Sequence, residues 1–132
     1  MGIKARRRRG EELLEKMLGS DQAAGIRENW RKISPEFEEY VVEFLSGEIW
    51  SREGLDLRTK SLVTIATLAG MGRTLGLELN IRMALRNGAT QREVIETLLH
   101  IAPYAGFPAV WEGLAMADRV FAEETQATTG EV

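Results

Sequence analysis

The chain contains no cysteine. That excludes disulfides, thiolate metal sites, cysteine nucleophiles and dithiol redox chemistry. It contains one histidine, His100, so the ligand set of a structural zinc site is missing, and no metal-ligand motif stands elsewhere. No apolar run reaches the length needed to span a membrane. The N-terminus is basic but no apolar signal core follows it. Met1-Gly2 is followed by Arg6 where a myristoylation signal wants Ser or Thr. The net charge of -3 supplies no global reason to expect a nucleic-acid or membrane partner. These absences point to a cytoplasmic protein with neither partner.

What is present is an ordinary globular balance: 44% hydrophobic and 28% charged residues over 132 positions, enough to bury a core without staples. Arg6-Arg7-Arg8-Arg9 is the one strong charge run. It precedes Glu11, Glu12 and Glu15, which partly cancel its field, and it reads as a solvated arm or the start of a helix. The expected organisation is a basic arm over residues 1–9, one helical domain over 10–124 and a flexible tail over 125–132.

The pattern between is helical throughout. Leu13, Leu14, Met17 and Leu18 form a stripe ended by Gly19. Ser20-Asp21 reads as the cap of a segment reaching about Ile33. Ser34-Pro35 starts another, with Ser as cap and Pro in the first turn. That helix carries Phe37, Tyr40, Val41, Phe44 and Leu45 at helical spacing, and Gly47 is expected to loosen it before a loop over Trp50 to Asp56. Leu57 to about Met71 is apolar on almost every face, the signature of a helix buried centrally or between subunits. Leu77 to Arg86 is the next helix, stopped by Asn87-Gly88. Thr90-Gln91-Arg92-Glu93 is a capping box that starts a helix at Gln91. Tyr104 to Pro108 is a tight turn, and a last helix spans Ala109 to about Glu123. No segment alternates with period two for long enough to be a strand, so the fold class is all-α, a compact helical bundle.

Three blocks carry a resemblance. Gly47-Glu48-Ile49-Trp50-Ser51-Arg52, then Gly54-Leu55 and Arg58-Thr59-Lys60-Ser61-Leu62-Val63-Thr64-Ile65-Ala66, is similar to a G-E-V-W-x-R segment followed by an R-S-L-x-T-I-A helix. Arg86-Asn87-Gly88-Ala89-Thr90, with Glu93 and Glu96, is similar to R-N-G-x-T-x-x-E-I-x-E. Leu98-Leu99-His100 and Tyr104-Ala105-Gly106-Phe107-Pro108-Ala109 are similar to L-L-H followed by Y-A-G-x-P-A. In this order and spacing the blocks resemble the carboxymuconolactone decarboxylase family over roughly residues 8 to 123. The resemblance implies an alkylhydroperoxidase-D-like fold, homo-oligomers (trimers or hexamers) with sites near subunit contacts, a small-molecule substrate, and chemistry that uses no metal or organic cofactor. The peroxidase branch of that fold needs a Cys-x-x-Cys pair and is excluded here.

One family motif is altered. The family commonly carries E-L-x-x-H before the Asn-Gly stop, where this chain has Gly76-Leu77-Glu78-Leu79-Asn80. Asn has no titratable proton near neutral pH, and Glu78, two residues from the family position, is turned to another face. After the Tyr-Ala-Gly turn, Val110-Trp111 replaces a small polar pair. Both changes suggest a more apolar pocket and a changed substrate.

Removing a carboxylate as carbon dioxide needs a cation to orient it, poor solvation of the departing charge and a proton donor for the carbon that keeps the electrons. His100 is a candidate general acid or base with Glu96 one helical turn earlier to orient it, or else a packing histidine. Arg52 is a candidate clamp, with Glu48 as a base beside it and Trp50 as an apolar wall; the alternative is a loop arginine paired to Glu48 or Glu53. Arg58, Lys60 and Arg82 are further matched cations, for substrate or for ion pairs between subunits. Tyr104 and Asn80 are candidate hydrogen-bond partners of the substrate, and Trp111 a further wall. Two functions fit: cofactor-free acid–base chemistry (decarboxylation, isomerisation or cyclisation, a carbon–carbon lyase or isomerase) on a small carboxylated, lactone-like or polyketide-like molecule, or a non-catalytic small-molecule-binding or scaffold oligomer.

Overall fold

The computed structural model describes the backbone of residues 2–130 and the side chains of residues 2–126. Met1 and residues 131–132 of the expected tail lie outside the described residues. Every regular element among those described is helical. The chain divides into two compact units, Met1–Asp56 and Leu57–Val132.

In the first unit, α1 (Ile3–Leu18) runs into α2 (Ser20–Ile33) through Gly19. That glycine has φ of 86°, the left-handed turn glycine tolerates best. The basic run, read as an arm or the start of a helix, lies inside α1. Ser34 accepts a hydrogen bond from the Phe37 amide at 3.2 Å and starts α3 (Pro35–Glu39). The chain then continues without a break as a π-helix over Tyr40–Ile49. Leu14, Met17, Leu18, Ala23, Val41 and Val42 are the buried apolar residues of these helices.

Glu38 is buried with them, 2% exposed. A lone carboxylate there would be strongly destabilising. Arg7 meets it at 2.8 Å and Arg31 at 3.2 Å, so α1, α2 and α3 are joined by one two-armed ion pair. The residues at helical spacing from Phe37 to Leu45 do lie on helices. Val41 and Val42 are buried, but Phe37, Tyr40, Phe44 and Leu45 are exposed. Gly47 does not loosen its helix. It is buried, and a side chain there would overlap the Arg6 carbonyl of α1.

The second unit packs α4 (Leu57–Met71), α5 (Thr74–Arg86), α6 (Gln91–His100), α7 (Ala102–Ala105) and α8 (Phe107–Gly130) around Ile65, Ala69, Leu77, Ile81, Ala84, Val94, Leu98, Ala117 and Val120. The last helix is longer at both ends than the expected Ala109 to Glu123. Gly88 (φ 99°) and Gly106 (φ 95°) make the turns before α6 and α8. The Thr90–Glu93 capping box is closed in both directions, at 3.0 and 2.9 Å. Only one face of α4, Ser61, Ile65 and Ala69, is buried; Val63 and Met71 stay exposed.

Candidate functional site

Each unit contributes its own set of candidate residues. In the first, Glu48 is half-buried near the end of the π-helix and Trp50 is buried just after it. The Trp50 amide donates to the Leu45 carbonyl at 2.8 Å, continuing the π winding. The Ser51 hydroxyl donates to the Ser46 carbonyl at 2.7 Å. Arg52 is exposed on the following loop, and its amide donates to the Ile49 carbonyl at 3.3 Å. Ser51 was not singled out from the sequence, although it sits inside the Gly47–Arg52 block; a loop serine has no local signature for a bond to a carbonyl five residues back.

In the second unit, α5 turns Leu77, Ile81 and Ala84 to the core and carries Gly76 and Asn80 one turn apart on a neighbouring face. Asn80 Nδ2 donates to the Gly76 carbonyl at 2.8 Å. The two positions at which the chain departs from the family motif are thus tied to each other along the helix. A Cβ at Gly76 would meet only the Leu68 methyls of α4, at 3.4 and 3.8 Å. Helix packing leaves this position open to a side chain.

Two expected substrate cations have carboxylate partners within the unit. Arg58 pairs with Glu93, the capping-box acid of α6, with Nε at 3.1 Å from Oε1. Arg82 pairs with Glu78 at 3.1 Å, with Glu124 at 3.4 Å and with Glu123. Burial works against the charge on Arg82, but the hydrogen bonds to Glu123 and Glu78 outweigh it and raise its pKa. Ser61, fully buried on α4, accepts from Asn87 Nδ2 at 2.9 Å. Asn87 therefore ties α5 to α4 as well as ending α5.

His100 is the last residue of α6 and is exposed. Its ring lies 6.1 Å from that of Tyr104 on α7, tilted by 46°. Tyr104 is 82% exposed and Trp111, on the first turns of α8, is 76% exposed. The structure thus places two separately chosen candidates, His100 and Tyr104, next to each other. Glu96 is not the partner of His100: Arg92 holds it at 2.9 Å, because both are four residues apart on the same solvent face. The His100 and Tyr104 rings are both open to the surface of this unit. Among the described residues no group of three or more His, Cys, Asp or Glu side chains could hold a metal ion, and no helix is long and apolar enough to cross a membrane.

Residues 35–119 match the carboxymuconolactone decarboxylase family. This chain belongs to that family. It is 37% identical over 121 residues to the 4-carboxymuconolactone decarboxylase of Acinetobacter baylyi, covering 92% of this chain and 90% of that protein. It is 31% identical over 110 residues to the nitrosuccinic acid decarboxylase npaB of Metarhizium robertsii, covering 83% and 77%. It is 35% identical over 97 residues, 72% of each chain, to an uncharacterised 15.0 kDa protein encoded between nqo9 and nqo10 in Paracoccus denitrificans. Carboxymuconolactone decarboxylase family membership brings decarboxylase-type, lyase chemistry on small molecules.

Proposed function

We propose that this chain is a cofactor-free, homo-oligomeric enzyme, trimeric or hexameric, that carries out decarboxylation or a related isomerisation or cyclisation on a small carboxylated, lactone-like or polyketide-like substrate, and that 4-carboxymuconolactone is not its best substrate. The observation that carries this reading is the Asn80–Gly76 hydrogen bond at 2.8 Å. It uses the Asn80 amide on the backbone of its own helix, positions 76 and 80 carry no acid or base, and Glu78 between them is paired with Arg82 and Arg119. Proton transfer then falls to His100, with Tyr104 beside it, and carboxylate binding to Arg52, with Trp50 as an apolar wall. In the decarboxylation the carbon–carbon bond to the carboxylate breaks, carbon dioxide leaves, and the electron pair left on carbon takes a proton from the donor. The two relatives whose names state a decarboxylation support the reaction class.

The test is carbon dioxide release from 4-carboxymuconolactone and from nitrosuccinate. The natural chain is compared with Gly76→Glu/Asn80→His, His100→Gln and Arg52→Ala. The double variant is expected to fold, since the added Cβ meets only Leu68 methyls. It is expected to outperform the natural chain on 4-carboxymuconolactone at least tenfold. Loss of a general acid should lower kcat by about 10²–10⁴-fold. Fast turnover of 4-carboxymuconolactone by the natural chain, indifferent to His100→Gln, overturns the reading. A second reading, a non-catalytic small-molecule-binding oligomer, is favoured by the same missing acid–base pair at positions 76 and 80. It gains if neither His100→Gln nor Arg52→Ala changes any turnover the natural chain shows.

A further inference from the structure

The segment that delivers Glu48, Trp50 and Arg52 is wound in a register that residues 40–51 have no local reason to choose. Helices of the π type are rare and mostly single turns, and they recur at functional sites; this one runs for ten residues, Tyr40–Ile49. Its last bond is the Trp50 amide to the Leu45 carbonyl at 2.8 Å, five residues back. The next carbonyl, that of Ser46, is also taken from five residues ahead, by the Ser51 hydroxyl at 2.7 Å. The register is thus carried one residue into the loop by a side chain standing in for a backbone donor.

What holds it is α1. Gly10 of α1 lies so close to the π-helix that a Cβ there would overlap the Val42 carbonyl oxygen. Gly47 lies so close to α1 that a Cβ would overlap the Arg6 carbonyl oxygen, with the Val42 carbonyl a further 3.1 Å contact. Two glycines, one on each helix, let backbone meet backbone. Val42, Ser46 and Gly47 are all buried. Arg7 of the same helix holds Glu38 at 2.8 Å and lies 3.8 Å from Glu43, one carboxylate on either side of the start of the π winding. Rewinding to an α register would pass the Trp50 amide from Leu45 to Ser46, release the Ser51 hydroxyl and turn Gly47 away from α1.

We propose that α1, through Gly10 and Gly47, clamps the π register, and that Ser51 latches it, so that Gly10, Gly47 and Ser51 are positioning residues for Glu48, Trp50 and Arg52. This rests on the reading of Arg52 as the carboxylate ligand. The α and π windings are two discrete arrangements of one segment, and the clamp selects the one that delivers the site residues.

The test uses the full chain labelled for NMR, in which couplings across hydrogen bonds identify the acceptor of each amide. In the natural chain the Trp50 amide couples to the Leu45 carbonyl. In Gly10→Ala that coupling is expected to pass to Ser46, while the amides of residues 57–126 keep their shifts. Ser51→Ala removes one hydroxyl and serves if Gly10→Ala does not fold; its Trp50 amide is expected to exchange with solvent at least tenfold faster, and Ser51→Thr to restore it. With 4-carboxymuconolactone as the probe, Ser51→Ala should raise KM about five- to twentyfold with kcat within twofold, and should add nothing in an Arg52→Ala background. The proposal is overturned if the Trp50 amide keeps Leu45 in Gly10→Ala and its exchange rate in Ser51→Ala. It is overturned as a positioning role if the register shifts while KM moves only on Arg52→Ala. An unmoved KM in Arg52→Ala sinks the reading of Arg52 instead, and the NMR couplings still decide whether the clamp exists.

Discussion

Arg82 stands among three carboxylates, and its removal leaves Glu123 without its hydrogen-bond donor. The hydrogen bond from Arg82 is the main reason that Glu123 is held below the usual carboxylate range. A glutamate whose folded pKa is lowered stabilises the fold above its unfolded value, about 4.3, and that contribution is lost as pH falls through the lower folded value. Glu123 is exposed, so screening by salt weakens the effect. Arg82→Gln is therefore expected to lower Tm by roughly 2–6 °C at pH 7 in low salt, and by less in 1 M salt or below pH 4. Differential scanning calorimetry across pH and salt checks this, and an unchanged Tm at pH 7 contradicts it. The sequence could name Arg82 as a cation but could not supply Glu123 and Glu124, which are 41 and 42 residues away. His100 and Tyr104 were each legible as candidates but their ring contact was not; nor was the engagement of Glu96 by Arg92 rather than His100, because a helix offers one acid two equally spaced partners.

At the level of elements, legibility followed how local the deciding forces are. The stop of α4 at Met71, the start at Gln91 and the stop at Asn87-Gly88 follow from a cap or a glycine within a few residues of each end. The π-helix was hidden because the same apolar spacing suits bonds four or five residues back, and the choice is made by α1, more than thirty residues away. Glycine is ambiguous for the same reason: in sequence Gly25, Gly47 and Gly113 look alike. In the structure a Cβ at Gly113 would stand 2.8 Å from Leu98 Cδ2 and 3.6 Å from Ala69 Cβ, against a fully buried leucine. A Cβ at Gly25, inside α2 and exposed, would meet nothing within 4 Å. Gly113→Ala should then destabilise by about 1–3 kcal/mol through overpacking. Gly25→Ala should stabilise by about 0.5–1 kcal/mol, since a mid-helix glycine loses more backbone entropy than alanine. Urea unfolding of the two variants beside the natural chain reads both signs, and equal effects would refute the packing argument.

At the level of the whole molecule, the exposed apolar groups bear on the proposed assembly. Val63 and Met71 on α4, Leu75 on α5, Leu99 at the end of α6, and Tyr104, Phe107 and Trp111 beyond it are exposed in the isolated chain. Scattered apolar residues are ordinary on a soluble surface, but large contiguous patches mark interaction sites. The helix that reads as buried centrally or between subunits, α4, buries only its Ser61, Ile65 and Ala69 face within the chain. Covering the remaining faces with further copies satisfies the other half of that expectation. Closed rings of identical subunits achieve this without leaving a sticky edge. Light scattering at tens of micromolar is expected to return three or six times the protomer mass. Val63→Glu places a charge on the exposed face of α4 and should shift the mass toward the protomer while helix content by circular dichroism stays constant. A natural chain that scatters as a single protomer would remove the assembly from the reading and leave the exposed Tyr104, Phe107 and Trp111 without a cover.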